Sequence, residues 1–330
     1  MGEGSGRARL VVFMGRNISL LFLLALILIG CAGSPVFMTA KNILNVLRQS
    51  SVTGILACGF GLVFLMGGFD LSMGAILSLS SCLVIGVMKS SGFAEGLAIA
   101  LAAGLAIGAA NGVLINITKG DTSETFLITL GISLVCFSIS TTYTNGYNLY
   151  YDSNGLETVF ASIGQSYVWD IPVPVVLFVA LLAIFQVVLK TTLLGRRIYL
   201  VGGNKKASFL SGIDVAGIKT LVFSLSGLCA GIAGVVMASR TTAAGPRIGE
   251  GYEFDACIAV IAGGMKIGAG KGGMVNVLVG TAILGILTNI MNLTGTDSVF
   301  QIMIKALILL LMVSLDSAKL APSGVPAEKA

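Results

Sequence analysis

Charged residues divide this chain into long stretches that contain none. Between Arg48 and Asp70 lie 21 uncharged residues, and between Asp70 and Lys89 there are 18. Glu95 to Lys119 encloses 23, Glu124 to Asp152 encloses 27, Asp170 to Lys190 encloses 19 and Lys219 to Arg240 encloses 20. A helix of about 20 apolar residues crosses the hydrocarbon core of a bilayer. An apolar run at 18–33 precedes these windows, and runs at 256–265, 272–292 and 298–315 follow them, the last interrupted only by Lys305. The short run 256–265 suits a re-entrant segment as well as a span. The count is about ten transmembrane helices in one polytopic domain, residues 1–330. Charged residues make up 11% of the chain, against about 25% in soluble domains. That excludes a water-soluble core, a disordered chain and a coiled coil.

Lys and Arg favour the cytoplasmic ends of spans. With the N-terminus inside, inside segments carry 14 of the 20 basic residues and outside segments carry 5. The expected topology is therefore N-in and C-in. It has a cytoplasmic N-terminal segment 1–16, a cytoplasmic segment 190–219 and a cytoplasmic tail 316–330. The run ending Leu28-Ile29-Gly30-Cys31 mimics a lipoprotein cleavage site; the reading taken is an uncleaved first span.

The chain has no histidine, which removes the Ser–His–Asp triad, the HExxH zinc site and the histidine proton relay. Its six cysteines sit in apolar stretches without a CxxC pair, so they read as small buried hydrophobes and not as metal ligands. Gly268-Ala269-Gly270-Lys271-Gly272 resembles a phosphate loop. Met265 and Gly272 stand where a Walker A motif needs Gly and Ser or Thr. The chain is expected to be no enzyme, to bind no metal or cofactor and to meet no nucleic acid.

Several spans carry polar or small residues. Gly104, Gly108 and Gly112 repeat every four residues, a ridge that lets helix backbones touch. Asn111 and Asn116 fall in the fourth span, and Asn289 and Asn292 in the ninth. Each either bonds a neighbouring helix or lines a wet path, because a buried amide must find partners. Asp70 follows Gly67-Gly68-Phe69 between the second and third spans. Capping of the third span is its plain role and gating its sharper one. Asp70, Asn111, Asn289 and Asn292 are the pathway or gate candidates. Lys305 either snorkels, pairs or lines a pore.

Two hydrophilic segments stand out. Residues 146–170 contain Tyr147, Tyr150, Tyr151, Asp152, Glu157, Tyr167, Trp169 and Asp170. Leu156, Val159, Phe160 and Ile163 give helical spacing there. This is an interfacial aromatic belt or a docking rim for an external partner, with Tyr150, Tyr151, Asp152, Glu157 and Trp169 as its candidates. In 190–219, Asn204 suits an N-cap and Gly212 a C′ residue. The two turns between them hold Lys205, Lys206, Ala207 and Leu210. So short a helix needs a partner: anionic lipid or a cytosolic protein.

The chain resembles the permease subunits of ATP-binding-cassette importers for simple sugars. The likeness rests on Gly67-Gly68-Phe69-Asp70-Leu71-Ser72-Met73-Gly74, Asn111-Gly112 and Thr129-Leu130-Gly131. It extends to Gly195-Arg196-Arg197, Gly202-Gly203-Asn204, Ser211-Gly212-Ile213, Gly251-Tyr252-Glu253-Phe254-Asp255-Ala256-Cys257-Ile258-Ala259 and Gly263-Gly264. It implies a type II-importer-like permease bundle in a bacterial or archaeal cell (inner) membrane. The implied partners are a cytosolic ATPase that uses the ATP, an extracytoplasmic solute-binding protein, a second permease subunit and the lipid bilayer. Asn204 through Gly212 would be the coupling helix that docks on the ATPase. An ion-coupled secondary transporter is the competing class; it needs intramembrane carboxylates, for which Asp70 is the one candidate near a span.

Overall fold

A helix occupies each of the ten apolar windows. The structure is a computed structural model; it describes residues 18–120, 122–151 and 158–320, with side chains over the same stretches except 158 and 312–320. In chain order the helices are α1 (Ile18–Gly33), α2 (Ala40–Leu65), α3 (Met73–Ser91), α4 (Phe93–Ile117), α5 (Thr122–Thr144), α6 (Thr158–Gln165) and α7 (Val173–Thr191). There follow α8 (Leu193–Gly203), α9 (Lys205–Leu210), α10 (Val215–Thr241), α11 (Tyr252–Ala262), α12 (Met274–Leu293) and α13 (Ser298–Leu320). Seven of them, α2, α3, α4, α5, α7, α10 and α12, are long and apolar enough to cross a membrane. The strands are two-residue pieces: β1 (Leu149–Tyr150) pairs with β4 (Ala243–Ala244), and β2 (Tyr167–Val168) with β3 (Ile171–Pro172).

Helices α2, α3 and α10 bury most of their residues, whereas α4, α5 and α7 bury only a minority of theirs. The centre therefore consists of α2, α3 and α10, with the others around them. The glycine ridge explains the tightest contact. Gly104 and Gly108 of α4 lie on Gly227 and Phe223 of α10, and Gly112 lies on Thr220. Rising numbers on α4 meet falling numbers on α10, so the two run antiparallel. A side chain at Gly104, Gly108 or Gly227 would collide with a backbone carbonyl of the other helix. Asn116 adds a side-chain tie, donating to Ala216 O at 2.8 Å and Thr220 Oγ1 at 2.9 Å.

Helix α2 is joined to α12 by an amide pair. Asn42 Nδ2 donates to Asn289 Oδ1 at 2.9 Å, and Asn289 Nδ2 donates back to Asn42 Oδ1 at 2.8 Å. Both residues are buried. Removing one partner strands the other, which costs about 1–3 kcal/mol. Asn289→Leu should therefore lower the melting temperature in detergent, and Asn42→Leu with Asn289→Leu should recover part of the loss. A double variant no better than either single one would contradict this pairing.

The amphipathic stretch near 156–163 is a helix, α6, from Thr158. Phe160 is fully buried and Val159 exposed. Ser239 Oγ donates to Phe160 O, fastening α6 to the end of α10. All six cysteines are free, and all but Cys31 are buried.

Candidate functional site

Between α2 and α3 the chain leaves helical geometry for residues 66–72. Gly67, at φ 78, makes the turn, in the left-handed region where a Cβ is penalised. Non-helical backbone inside a membrane domain must bond to something. Helix α5 supplies the partners from one face. Thr122 Oγ1 donates to Gly67 O at 2.7 Å; Phe69 N donates to Thr125 Oγ1 at 3.2 Å; Leu71 N donates to Thr129 Oγ1 at 3.0 Å. Threonines spaced three and four apart fall on one helix face.

Asp70 lies in this segment with no exposed surface. Its Oδ1 accepts Ser72 N at 3.1 Å and Ser72 Oγ at 2.6 Å, and its Oδ2 accepts Ser226 Oγ at 2.6 Å. Asn111 Nδ2 donates to Ser72 Oγ at 2.8 Å. The bond to Ser72 N is the one a cap makes, although the N-cap position of α3 belongs to Ser72. Ser226 is seven residues into the bundle from Lys219, a depth of about 10 Å along α10. The glycine turn therefore reaches inward from the ends of the spans it joins. Asp70 and Asn111 meet in one network; Asn289 is in the amide pair with Asn42. Asn292 stands apart, exposed, accepting from Gln301 Nε2 at 3.0 Å.

Asp70 is not the only carboxylate among the apolar helices. Glu253 and Asp255 fall in the first turn of α11. Glu253 is buried with Oε2 unpartnered. Asp255 holds Lys305 of α13 through both oxygens, at 3.0 and 2.9 Å. Lys305 is thus a helix-pairing residue. The missed signal was the lysine itself, since a cation in an apolar helix calls for a carboxylate on its neighbour.

The 190–219 segment forms α8 and α9. Asn204 caps α9, its Oδ1 accepting Ala207 N at 2.9 Å. Gly212, at φ 80, ends it: Ile213 N donates to Ser208 O at 3.1 Å and Gly212 N to Phe209 O at 3.0 Å, the Schellman pattern. Ser208 faces inward, while Lys206, Ala207, Phe209 and Leu210 are exposed and Lys205 half-buried. Phe209 was not singled out beside Leu210, because it is off the face that Ala207 and Leu210 share. Helix α8 seats this unit on the bundle. Gly202 presses on Leu65 O at the end of α2, and Tyr199 Oη donates to Gly272 O at 2.8 Å. Burial pushes the Tyr199 phenol up, keeping it a donor. Gly268 N donates to Phe64 O at 3.3 Å. So α8, which carries α9, the end of α2 and the 264–272 turn form one contiguous unit.

At the other end, Tyr150 and Trp169 are exposed, whereas Tyr151 is buried edge-on against Phe160. Asp152 and Glu157 lie outside the described residues. Trp169 and Asp170, both at positive φ, make the tight turn of the β2–β3 hairpin.

Long apolar helices enclosing a stretch of internally bonded irregular backbone mark a multi-pass membrane protein. The sequence pattern of the family described as branched-chain amino acid transport system / permease component matches residues 42–313, and the chain belongs to that family. It is 42% identical to the ribose import permease protein RbsC of Bacillus subtilis (strain 168), over 91% of this chain and 92% of that one. It is 34% identical to the D-allose transport system permease protein AlsC of Escherichia coli (strain K12), over 89% and 90%. It is 33% identical to the L-arabinose transport system permease protein AraH of the same strain, over 96% of each. No solved structure matches the chain.

Proposed function

We propose that this chain is the membrane-spanning subunit of an ATP-binding-cassette importer and forms the path for a monosaccharide. A cytosolic ATPase uses the ATP, an extracytoplasmic binding protein delivers the solute, and a second permease subunit completes the path in a bacterial cell membrane. The chain crosses about ten times, N-in and C-in, with α1 and α11 as the shorter crossings. Substrate class follows the ribose, allose and arabinose permeases it is similar to.

The observation that carries the coupling role is α9: a helix capped at both ends, with Phe209 and Leu210 exposed beside Lys205 and Lys206. Six residues do not make a stable helix in water. The caps and α8 hold it in shape, and its apolar side chains wait for a partner. Movement there passes through Gly202 to the end of α2, and from there to the 66–72 segment. Asp255 is neutralised by Lys305 and Asp70 is saturated by three donors, which leaves Glu253 Oε2 as the carboxylate oxygen an ion-coupled mechanism would use among the described residues, and the ionophore test below decides on it.

The test is co-purification from the native host in mild detergent. A Walker-type ATPase should come out with the intact chain, and Leu210→Asp with Phe209→Asp should lose at least nine-tenths of it while the permease still melts normally. Sugar uptake should survive an ionophore when ATP is held constant. A chain that emerges alone, with uptake abolished by the ionophore, would move it to the ion-coupled class.

A further inference from the structure

Arg48 is nine residues beyond Thr39, the N-cap of α2, so it sits about 13 Å along that helix. Its guanidinium carbon is 4.7 Å from the centre of the Tyr167 ring on β2. Nε and Nη2 are both buried without a hydrogen-bond partner. These two N–H groups form one edge of the guanidinium, the edge that makes paired, parallel bonds to two adjacent oxygens. The ring attracts the cation from its face and fixes its plane, but it gives the edge no acceptor. A charged donor pair held away from water without acceptors is unfavourable. The closed fork therefore carries an unmet demand for two neighbouring oxygens.

We infer that this edge is a station for the transported sugar, binding two adjacent hydroxyl oxygens when the β2–β3 hairpin moves aside. This rests on the sugar-import reading above. Arg48 touches the solute; Tyr167 is a positioning residue that aims the fork. The burial of the edge decides between occupants. An acidic side chain of an external protein, or a lipid phosphate at the membrane surface, meets exposed arginines. An edge more than two turns down the helix and closed to water is reached by a small solute that enters the protein. Monosaccharides present adjacent hydroxyl pairs on every ring form.

Trp169 is the chain's only tryptophan, and it stands two residues from Tyr167 on the same hairpin. Its emission therefore reports on this place. The full chain in lipid nanodiscs would be titrated with D-ribose, L-arabinose and D-allose, and separately with sodium acetate. At least one sugar should change the emission saturably. Arg48→Lys, which keeps the charge and loses the fork, should weaken that binding tenfold or more at an unchanged melting temperature. Arg48→Gln should do the same, and Tyr167→Leu should weaken it less. Equal affinity in Arg48→Lys and the parent chain would overturn the assignment. So would a response to acetate alone, which would make the fork an anion site. A silent emission in a chain whose host cells still import these sugars would overturn the station and leave the import reading standing. Cells that import none of them, with the ATPase and binding protein present, would remove both.

Discussion

Gly227→Leu is expected to leave almost no correctly folded permease, and Gly108→Leu to behave alike. Both glycines lie where α4 and α10 touch backbone to backbone, and a Cβ at either would collide with a carbonyl oxygen across the contact. A flexible side chain can rotate away, but a carbonyl within a helix can move only if the helix moves. Overpacking usually costs about 1–3 kcal/mol; here a whole helix must move off the central α10, so the loss should exceed about 3 kcal/mol. That is a large share of a typical stability of about 5–15 kcal/mol. Fluorescence-detected size exclusion after a heating series would report it. Gly131→Leu is the control, because nothing lies within 4 Å of a Cβ there. A Gly227→Leu protein that melts with the control would mean that the antiparallel α4–α10 contact is wrong.

The same glycines were readable beforehand, since a four-residue repeat of Gly is a packing face whatever its partner. The windows of uncharged sequence also predicted where helices lie, because hydrocarbon excludes unpaired charge. That logic failed in two places for one reason. It treats each charged residue as a boundary, and a charge is a boundary only when nothing inside satisfies it. Asp70 divides two uncharged windows as a turn residue between spans would, yet Ser72 and Ser226 satisfy it inside the bundle. Asp255 bounds the apolar run 256–265, yet the helix begins at Tyr252 and carries Glu253 and Asp255 inward. Ser226 is 156 residues from Asp70, and Asn289 is 247 from Asn42, separations at which no local pattern signals contact. The caps of α9 were legible because Asn204 and Gly212 act on their own neighbours. Its exposure was not, since that depends on how α8 seats it.

Lys305→Met alone should destabilise the last helix strongly, and Lys305→Met with Asp255→Asn should restore most of the loss. Both side chains are about four-fifths buried and joined at 2.9 Å. The energy of such a pair comes from two large terms of opposite sign, desolvation and attraction. Deleting the lysine removes the attraction and keeps the desolvated carboxylate, so the cost is about 3–5 kcal/mol. Deleting both charges removes both terms, and the pair becomes nearly neutral in effect. The consequence is local, because α13 makes its main contact with α11, and Gln301 adds bonds to Asn292 and to Thr296 O in the α12–α13 connection. Protease sensitivity of the α12–α13 connection should therefore rise in the single variant before the bundle melts. Uptake should fall with it and return in the double variant. A double variant as unstable as the single one would mean that the ion pair itself, and not the relief of a stranded charge, holds α13 in place.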